Sequence, residues 1–446
     1  MNNPVNFYLI TDTHFIPNRL CEDCEDYREY MKYEQMTLAE NEAILKALFE
    51  KIAGDKETDI VIIPGDLSKN GEKESHLEFI KYLDKLRDSG KKIFVITARH
   101  DFNENASAFI NGARNPVEGT KKEELAELYK DYGYSAALSR HPGSMSYVAQ
   151  IAPGYRMLAL DSDGETDLSQ GGDKGYINSD ILAWAKEQIE DAKACGDEMF
   201  AICHYPVIPS SPFFEIVKDA RLENREEVIK LLADSGVNLI LTGHMHIQSI
   251  NVVTTEKGNK FWDVCTSSIV GSPGRYRKIA FDGTTAQIES FEIPDFEWDM
   301  EGLTKEEYLD RQFSRRITNR INRALENPEG AQKLYMPLAK KAVNSLTLGG
   351  VARLACVRID KSLKKKKFLD FANEIGINLF KGDEPYVEGT KEYEAVSKVV
   401  RRAGFIIKKV EPKLSKNKPL DLRQMIFDSI GSTKPFSDNN ATIKLR

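Results

Sequence analysis

The segment Phe7-Tyr8-Leu9-Ile10-Thr11-Asp12-Thr13-His14 is the starting point for interpreting the rest of the sequence. Its apolar half, residues 7–10, has the length and composition of a buried β-strand. Asp12 and His14 follow at once, separated by one residue, so both side chains lie on the same side of an extended segment. The segment therefore predicts a buried strand that ends in two polar side chains able to reach one ion.

The same alternation of apolar runs and amphipathic stretches continues through the first 242 residues. Further strands are predicted at 60–63, 93–97, 157–160, 199–203 and 239–242. The stretches between them are helical, and one is predicted to begin at the capping box Thr37-Leu38-Ala39-Glu40. Strands that alternate with helices predict an α/β fold with helices on the faces of the sheet.

After Gly243 the pattern becomes β-like, without helices between the segments. Antiparallel strands are predicted near 248–254, 260–266, 276–281 and 286–293. They would complete a second sheet or extend the first.

From residue 297 onward the periodicity is helical, and Thr304 to Glu307 forms another capping box. We therefore predict a catalytic domain over 1–296 and a mainly helical C-terminal domain of unknown role over 297–446. The first carries a formal charge of −17 and the second one of +10. The opposite charges favour electrostatic docking of the two domains on each other. Binding of the basic domain to an anionic partner such as nucleic acid is the less favoured alternative. The lysine run Lys364 to Lys367 has no interleaved aromatic residue for bases to stack on.

Composition limits the class of protein. Of 446 residues, 41% are hydrophobic and 29% charged, which is typical of a soluble globular protein. No apolar run is long enough to span a membrane, and the N-terminus lacks the features of a signal peptide. We expect a cytoplasmic protein, or one whose leader has been removed. Six cysteines are too few for a disulfide framework, and Cys21 and Cys24 lie in an acidic segment typical of ordinary thiols.

Carboxylate, imidazole and guanidinium side chains follow the predicted strands. They are Asp12, His14, Asp66, Arg99, His100, Asp101, His204, His244 and His246. Ligands bind at the carboxyl edge of an open α/β sheet, and clustered carboxylates there are costly without a cation. Mixed nitrogen and oxygen donors suit Mn, Fe, Zn or Co better than Ca or Mg, so the pattern predicts a metal site. The other histidines, His76 and His141, have no ligand spacing.

The order of these blocks, Asp-x-His, Gly-Asp, His followed by an acid, a lone His and Gly-His-x-His, resembles the calcineurin-like metallophosphoesterase superfamily over about residues 5–295. The resemblance implies a layered β-sandwich flanked by helices. It also implies one or two transition-metal ions, most readily Mn, Fe or Zn. By the family pattern, Asp12, His14 and His246 hold the first ion, His204 and His244 hold the second, and Asp66 bridges them.

The resemblance further implies a phosphoesterase acting by attack of metal-bound hydroxide on a phosphomonoester or phosphodiester. His100 is then the general acid, and Asp101 orients its ring. The substrate is a phosphorylated small molecule or nucleotide, and the loop 15–36 is a candidate for shaping its access. No membrane partner is expected, and the sequence identifies no protein partner.

One position departs from the family pattern. The third block is ordinarily Gly-Asn-His followed by an acid, whereas here it is Ala98-Arg99-His100-Asp101. The asparagine supplies an oxygen to the second metal, and a guanidinium has no lone pair to donate. Three alternatives remain open: a weaker second ion, Arg99 as a phosphate clamp beside a single ion, or a catalytically impaired scaffold that binds phosphorylated ligands.

Overall fold

The computed structural model describes residues 3–164, 175–215, 217, 220–326, 344–404, 407–408, 421–432 and 434–446. In chain order the strands are β1 (Val5–Leu9), β2 (Ile60–Pro64), β3 (Lys92–Ile96), β4 (Ser107–Ile110), β5 (Ala113–Pro116), β6 (Ser139–Arg140), β7 (Tyr147–Ala152), β8 (Tyr155–Ala159), β9 (Glu198–Ile202), β10 (Leu239–Thr242), β11 (Ser249–Thr254), β12 (Lys260–Cys265), β13 (Arg275–Phe281), β14 (Thr285–Glu292) and β15 (Ala441–Lys444).

The helices are α1 (Glu25–Met31), α2 (Asn41–Gly54), α3 (Lys73–Asp88), α4 (Lys122–Leu128), α5 (Ser179–Cys195), α6 (Arg225–Asp234), α7 (Lys305–Glu326), α8 (Leu348–Leu354), α9 (Phe368–Lys381), α10 (Lys391–Arg402) and α11 (Leu422–Ile430). None of the helices within the described ranges is long and apolar enough to cross a membrane.

Two sheets form the centre of the molecule. The first has the strand order β15-β14-β13-β1-β2-β3, and the second has the order β11-β12-β10-β9-β8-β7-β6. Their facing side chains share one hydrophobic core, in which the ring of Phe7 on β1 stacks on Phe200 of β9 at 5.1 Å between centroids. Apolar faces of α2 and α3 pack onto this core, and those of α5 and α6 pack onto the second sheet. The predicted α/β fold, a layered sandwich flanked by helices with a mainly helical C-terminal region, is confirmed.

The six strands predicted in the first 242 residues are β1, β2, β3, β8, β9 and β10, with ends within two residues of the prediction. The four later segments are β11 to β14, and they divide between the sheets: β11 and β12 extend the second, whereas β13 and β14 extend the first. Both alternatives left open by the sequence are therefore realised.

Of two capping boxes predicted from the sequence, one marks the start of a helix in the structure and the other does not. The signal at Thr304 is confirmed, because Glu307 N–H donates to Thr304 Oγ1 and Thr304 N–H donates to Glu307 Oε2. The helix predicted from Thr37 begins instead at Asn41. Thr37 N–H donates to the Val270 carbonyl, so that residue belongs to a tertiary contact and not to a helical turn.

The end of the chain returns to the first sheet, where β15 pairs antiparallel with β14. Arg277 on β13 is fully buried, and burial lowers its pKa to about 10. Its guanidinium donates to the carbonyls of Asp438 and Asn439, at 3.0 and 3.2 Å, just before β15. The C-terminal region is thus joined to the sheet by main-chain contacts, and the domain boundary near residue 296 stays a prediction.

Candidate metal centre and active site

The backbone of the predicted site is unusual. Among the described residues, eight non-glycine residues have a positive φ, and five of them are predicted site residues: Asp12, His14, Asp66, His244 and His246, with φ between 38° and 65°. A left-handed conformation costs a non-glycine residue about 1–3 kcal/mol and persists where surrounding structure enforces it, commonly at functional sites. The strain is therefore concentrated at the strand ends that carry the donors.

Two glycines beside these residues allow elements to approach closely. A Cβ at Gly65 would lie 2.7 Å from both the Cβ of Ala98 and Nδ1 of His204. A Cβ at Gly243 would overlap the side chains of Thr11 and Asp12. The glycines of the Gly-Asp and Gly-His segments thus leave room for the strand ends to converge.

The first triad consists of Asp12, His14 and His246, whose donor atoms lie within 4.8 Å of one another. His14 Nε2 and His246 Nε2 are 3.0 Å apart, and His246 Nε2 is 3.2 Å from Asp12 Oδ1. Burial lowers the pKa of His14 to about 3, so its ring is neutral, the form that binds metals. Burial raises the pKa of Asp12, but His246 and His204 outweigh it and bring the value to about 2.

The second triad consists of Asp66, His204 and His244, again within 4.8 Å of one another. His204 Nδ1–H donates to the Pro64 carbonyl at 2.9 Å, which leaves Nε2 facing Asp66 Oδ2, 2.9 Å away. Burial disfavours a charged His204 ring, yet Asp66 and Asp12 raise its pKa to about 10. Asp66 Oδ2 is also 3.7 Å from His14 Nε2, so this carboxylate faces both triads.

These donors fit divalent metal ions. The buried His204 Nε2 lies only 2.9 Å from the Asp66 carboxylate. A lone pair beside a buried carboxylate is unfavourable unless a proton or a cation lies between them. Two triads of imidazole and carboxylate donors, close to each other, are suited to hold such cations.

His100 stands beside the triads without belonging to either. Its ring centroid is 5.0 Å from that of His14, and it is only half-buried, unlike His14. Its backbone N–H donates to Asp66 Oδ1 at 3.0 Å, and its ring Nδ1 donates to the Lys69 carbonyl at 3.0 Å. The second bond leaves Nε2 as the nitrogen available to a bound molecule.

The expectation that Asp101 orients the His100 ring is wrong. The Asp101 carboxylate accepts backbone N–H groups, from Ser68 at Oδ1 and from Ala98 at Oδ2, each at 2.8 Å. It therefore fixes the backbone turn that carries His100, and the ring itself is held by the Lys69 carbonyl. Burial, followed by the neighbouring Asp66, raises the pKa of Asp101 well above its usual range.

Arg99 is held by its neighbour Phe102. Its Nη1 donates to the Phe102 carbonyl at 3.2 Å, and its guanidinium carbon lies 5.1 Å from the centroid of that ring.

The other two histidines, His76 and His141, make structural contacts. His76 lies between the Tyr129 hydroxyl and the Asp101 carbonyl, and His141 contacts Ser144.

Sequence reasoning missed several residues that shape the site. Ser68 Oγ donates to the His100 carbonyl, and Ser162 Oγ accepts the N–H of His204 at 3.3 Å. Asp163 follows Ser162, and burial, together with the neighbouring Asp161, raises its pKa to about 7. Ser162 and Asp163 could have been found in the same way as the other site residues, as polar residues that follow a predicted strand. The segment Asp161-Ser162-Asp163 directly follows the predicted strand 157–160.

Comparison with known proteins identifies the family that the sequence resembles. The model of the family described as calcineurin-like phosphoesterase matches residues 5–248. No curated protein matches the sequence. Among solved structures, a dimetal phosphatase from Danio rerio is 13% identical, with a TM-score of 0.46, and the match covers 66% of this chain and 98% of that one.

Two further solved structures are more distant. A purple acid phosphatase from yellow lupin (Lupinus luteus) seeds is 12% identical, with a TM-score of 0.42, over 67% of this chain and 53% of that one. An NAD nucleotidase from Haemophilus influenzae is 10% identical, with a TM-score of 0.34, over 78% of this chain and 62% of that one.

Proposed function

The chain belongs to the calcineurin-like phosphoesterase family, and on that premise we propose that it is a metal-dependent hydrolase of a phosphomonoester or phosphodiester with His100 as general acid. The observation that carries the proposal is the arrangement of two adjacent donor triads with one further imidazole, the half-buried ring of His100, beside them. A purely structural metal site has no use for a proton donor at its edge.

Asp12, His14 and His246 would hold one ion, and His204 and His244 the other, with Asp66 shared. The position of Asp66 Oδ2, 2.9 Å from His204 Nε2 and 3.7 Å from His14 Nε2, supports the shared role. The chemistry supplied by bound ions is neutralisation of charge on the phosphoryl oxygens and a lowered pKa of a nearby water molecule. Mn, Fe or Zn suit this donor set.

The part played by His100 follows from its hydrogen bonds. Because Nδ1–H is committed to the Lys69 carbonyl, a second proton on the ring resides on Nε2. His100 in this form donates that proton to the oxygen of the departing alcohol as the phosphorus–oxygen bond breaks. The backbone bond from His100 to Asp66 keeps the acid at a fixed place relative to the shared carboxylate.

The substrate we propose is a phosphorylated small molecule or nucleotide. The loop 15–36 contains α1, and its residues Lys32 and Tyr33 accept hydrogen bonds from Asn319 and Arg320 on α7. This loop directly follows the first triad's Asp12 and His14, so it is placed to influence access of the substrate. A binder of phosphorylated ligands without turnover is the alternative, motivated by Arg99.

The test compares leaving groups. Replacing His100 with Asn should lower turnover of an alkyl phosphate by about 10²–10⁴-fold, because a poor leaving group needs the proton. Turnover of p-nitrophenyl phosphate and bis(p-nitrophenyl) phosphate should fall much less, and metal content should be unchanged. The assay includes Mn, Fe or Zn, with bound metal quantified per chain.

His141→Asn is the matched control, since that histidine contacts Ser144 and lies outside the site. Undiminished turnover of the alkyl phosphate by His100→Asn would remove the acid role from His100. A parent chain that binds phosphate esters but hydrolyses none of them with any of the metals would favour the binding alternative.

A further inference from the structure

A cavity of about 750 Å³ lies where the loop 15–36 meets β5 and α7. It is lined by Asp26, Glu29, Tyr30, Tyr33, Glu34, Arg114, Arg320 and Arg323. The loop supplies the acidic and aromatic residues, β5 supplies one arginine, and α7 supplies the other two. Residues on both sides of position 296 therefore form this cavity together.

Lys69 and Arg316 add two positive charges beside the cavity. The Lys69 side chain is buried, and its ammonium lies 4.6 Å from the ring centroid of Tyr30 in the cavity wall. Arg316 lies one turn before Arg320 on α7, so the two side chains share a face of that helix. Its Nε is shielded from solvent and has no hydrogen-bond partner among the described residues. Such a nitrogen is unfavourable unless a group outside the chain accepts a hydrogen bond from it.

The carboxylates of the cavity are committed to other donors. Asp26 accepts the backbone N–H of Arg114 at 2.8 Å, and Glu34 accepts the two backbone N–H groups that follow it. Glu29 pairs with Lys32. Within the described residues, the cations around the cavity are therefore left without an ion pair. They are Lys69, Arg114, Arg316, Arg320 and Arg323.

Several of these cations lie on tyrosine rings instead. The guanidinium carbon of Arg114 is 5.6 Å from the ring centroid of Tyr30, and that of Arg323 is 4.8 Å from the ring centroid of Tyr33. A guanidinium on an aromatic face keeps N–H groups available for an anion. The planar arrangement of these donors matches the oxygens of a phosphate group.

Lys69 joins the cavity to the active site. Its carbonyl accepts the Nδ1–H of His100 at 3.0 Å, while its ammonium lies beside Tyr30. A substrate whose scissile phosphoester lies at His100 can extend along Lys69 toward the cavity. An anionic group at the far end of that substrate would then meet the unpaired cations.

We propose that this cavity binds a second phosphate group of the substrate, so that the chain prefers phosphate esters that carry another phosphate away from the scissile one. The inference rests on the proposed function, because it names the class of substrate for the same site. It also gives α7 a part in recognising the substrate.

The experiment compares α,ω-alkanediol bisphosphates of increasing chain length with the matched ω-hydroxyalkyl monophosphates. The Mn²⁺-loaded full chain is assayed by release of inorganic phosphate, and the readout is the ratio of the two kcat/KM values at each length. At one range of lengths, the parent should prefer the bisphosphate by about 10-fold or more, beyond the statistical factor of its two equivalent esters.

Arg114→Gln and Arg323→Gln test the two walls separately. Arg114 lies on β5 and donates its Nε–H to Ser107, outside the loop, whereas Arg323 lies on α7. Each variant should lower the ratio by about 10-fold, because each removes a charge-assisted bond to the second phosphate. The ratio cancels any effect that is common to both substrates.

Arg28→Gln and Arg311→Gln are the matched controls. They change arginines on α1 and α7 that are already paired, with Asp23 and Glu301 respectively. Both should keep the ratio of the parent, which separates a specific contact from the loss of one positive charge.

A ratio that never exceeds the statistical factor, or a parent-like ratio in either Arg114→Gln or Arg323→Gln, would overturn the second phosphate site. Hydrolysis of the monophosphates would leave the phosphoesterase proposal standing in that case.

A parent that hydrolyses none of the esters would overturn the proposed function instead. Titration calorimetry of the bisphosphates into that preparation then decides the cavity separately. Binding that both arginine variants weaken would support the site, whereas no binding, or equal binding in the parent and either variant, would overturn it.

Discussion

The two triads have the same kinds of donor, yet they differ in how the chain balances their charge. In the first, burial keeps the His14 ring neutral, with a pKa of about 3. In the second, burial is outweighed by Asp66 and Asp12, and the pKa of His204 rises to about 10. Without metal, a proton therefore occupies the second triad. An ion that binds to the second triad must displace this proton, whereas an ion that binds to the first triad meets a neutral His14 ring. Metal binding by the two triads should therefore respond differently to pH and to substitution.

The change that should break both triads at once is Asp66→Ala. Because its carboxylate faces His14 and His204, we expect loss of both ions and of hydrolysis, the largest effect of the predictions made here. Metal content per chain and turnover of p-nitrophenyl phosphate measure it. Asp55→Ala is the control, since Asp55 accepts a hydrogen bond from Tyr8 at the opposite end of the same sheet. Retention of either ion by Asp66→Ala would show that the triads are independent.

The pH dependence of the metal-free chain should separate the triads. The pKa of His204 is raised from 6.5 to about 10, so its contribution to stability is complete below pH 6.5 and is lost as the pH rises through 10. The pKa of His14 is lowered from 6.5 to about 3, so stability also falls as the pH drops from 6.5 toward 3. Each of the two groups contributes a slope of at most about 1.4 kcal/mol per pH unit, His14 between pH 3 and 6.5 and His204 between pH 6.5 and 10.

Urea unfolding of the chelator-treated protein across this range measures both slopes. His204→Gln should reduce the slope between pH 6.5 and 10, and His14→Gln the slope between pH 3 and 6.5, each relative to the parent. Saturation with Mn²⁺ should reduce both slopes, since the ion takes the place of the proton. A slope between pH 6.5 and 10 that is as steep in His204→Gln as in the parent would mean that another group carries the proton.

The smallest effect is expected from Asp101→Asn. An amide at this position keeps one acceptor and turns a donor toward a backbone N–H, so one of the bonds to Ser68 or Ala98 is lost. Stability should fall by about 1–3 kcal/mol, and turnover should decrease without a change in metal content. Thermal unfolding and metal analysis, made on the same preparation, check this. A loss of bound metal would instead tie Asp101 to the triads.

The fold was largely predictable, since strand-length apolar runs separated by amphipathic helices leave few arrangements. The donors of both triads were also predictable, because Asp12, His14 and Asp66 directly follow such runs. Their left-handed backbone was not, since only the packed strand ends enforce it. The partner of Asp101 was misassigned, because adjacency to His100 in sequence does not reveal that a short turn directs its carboxylate at Ala98 and Ser68.

Other parts of the structure depend on contacts that no local pattern encodes. Strand β15 is four residues long and pairs with β14 about 150 positions earlier, so its identity arises from the register of the sheet. The boundary near residue 296 and the separate C-terminal domain remain predictions.

The attachment of β15 has a consequence for synthesis of the protein. A chain emerges from the ribosome from its N-terminus, and the first sheet remains one strand short until residue 444 has emerged. Until then β14 is an open edge, and the Arg277 donors that later bind the carbonyls of Asp438 and Asn439 have no protein acceptor there. The nascent chain therefore presents the eight-residue edge of β14, whereas the finished sheet ends in the four-residue strand β15.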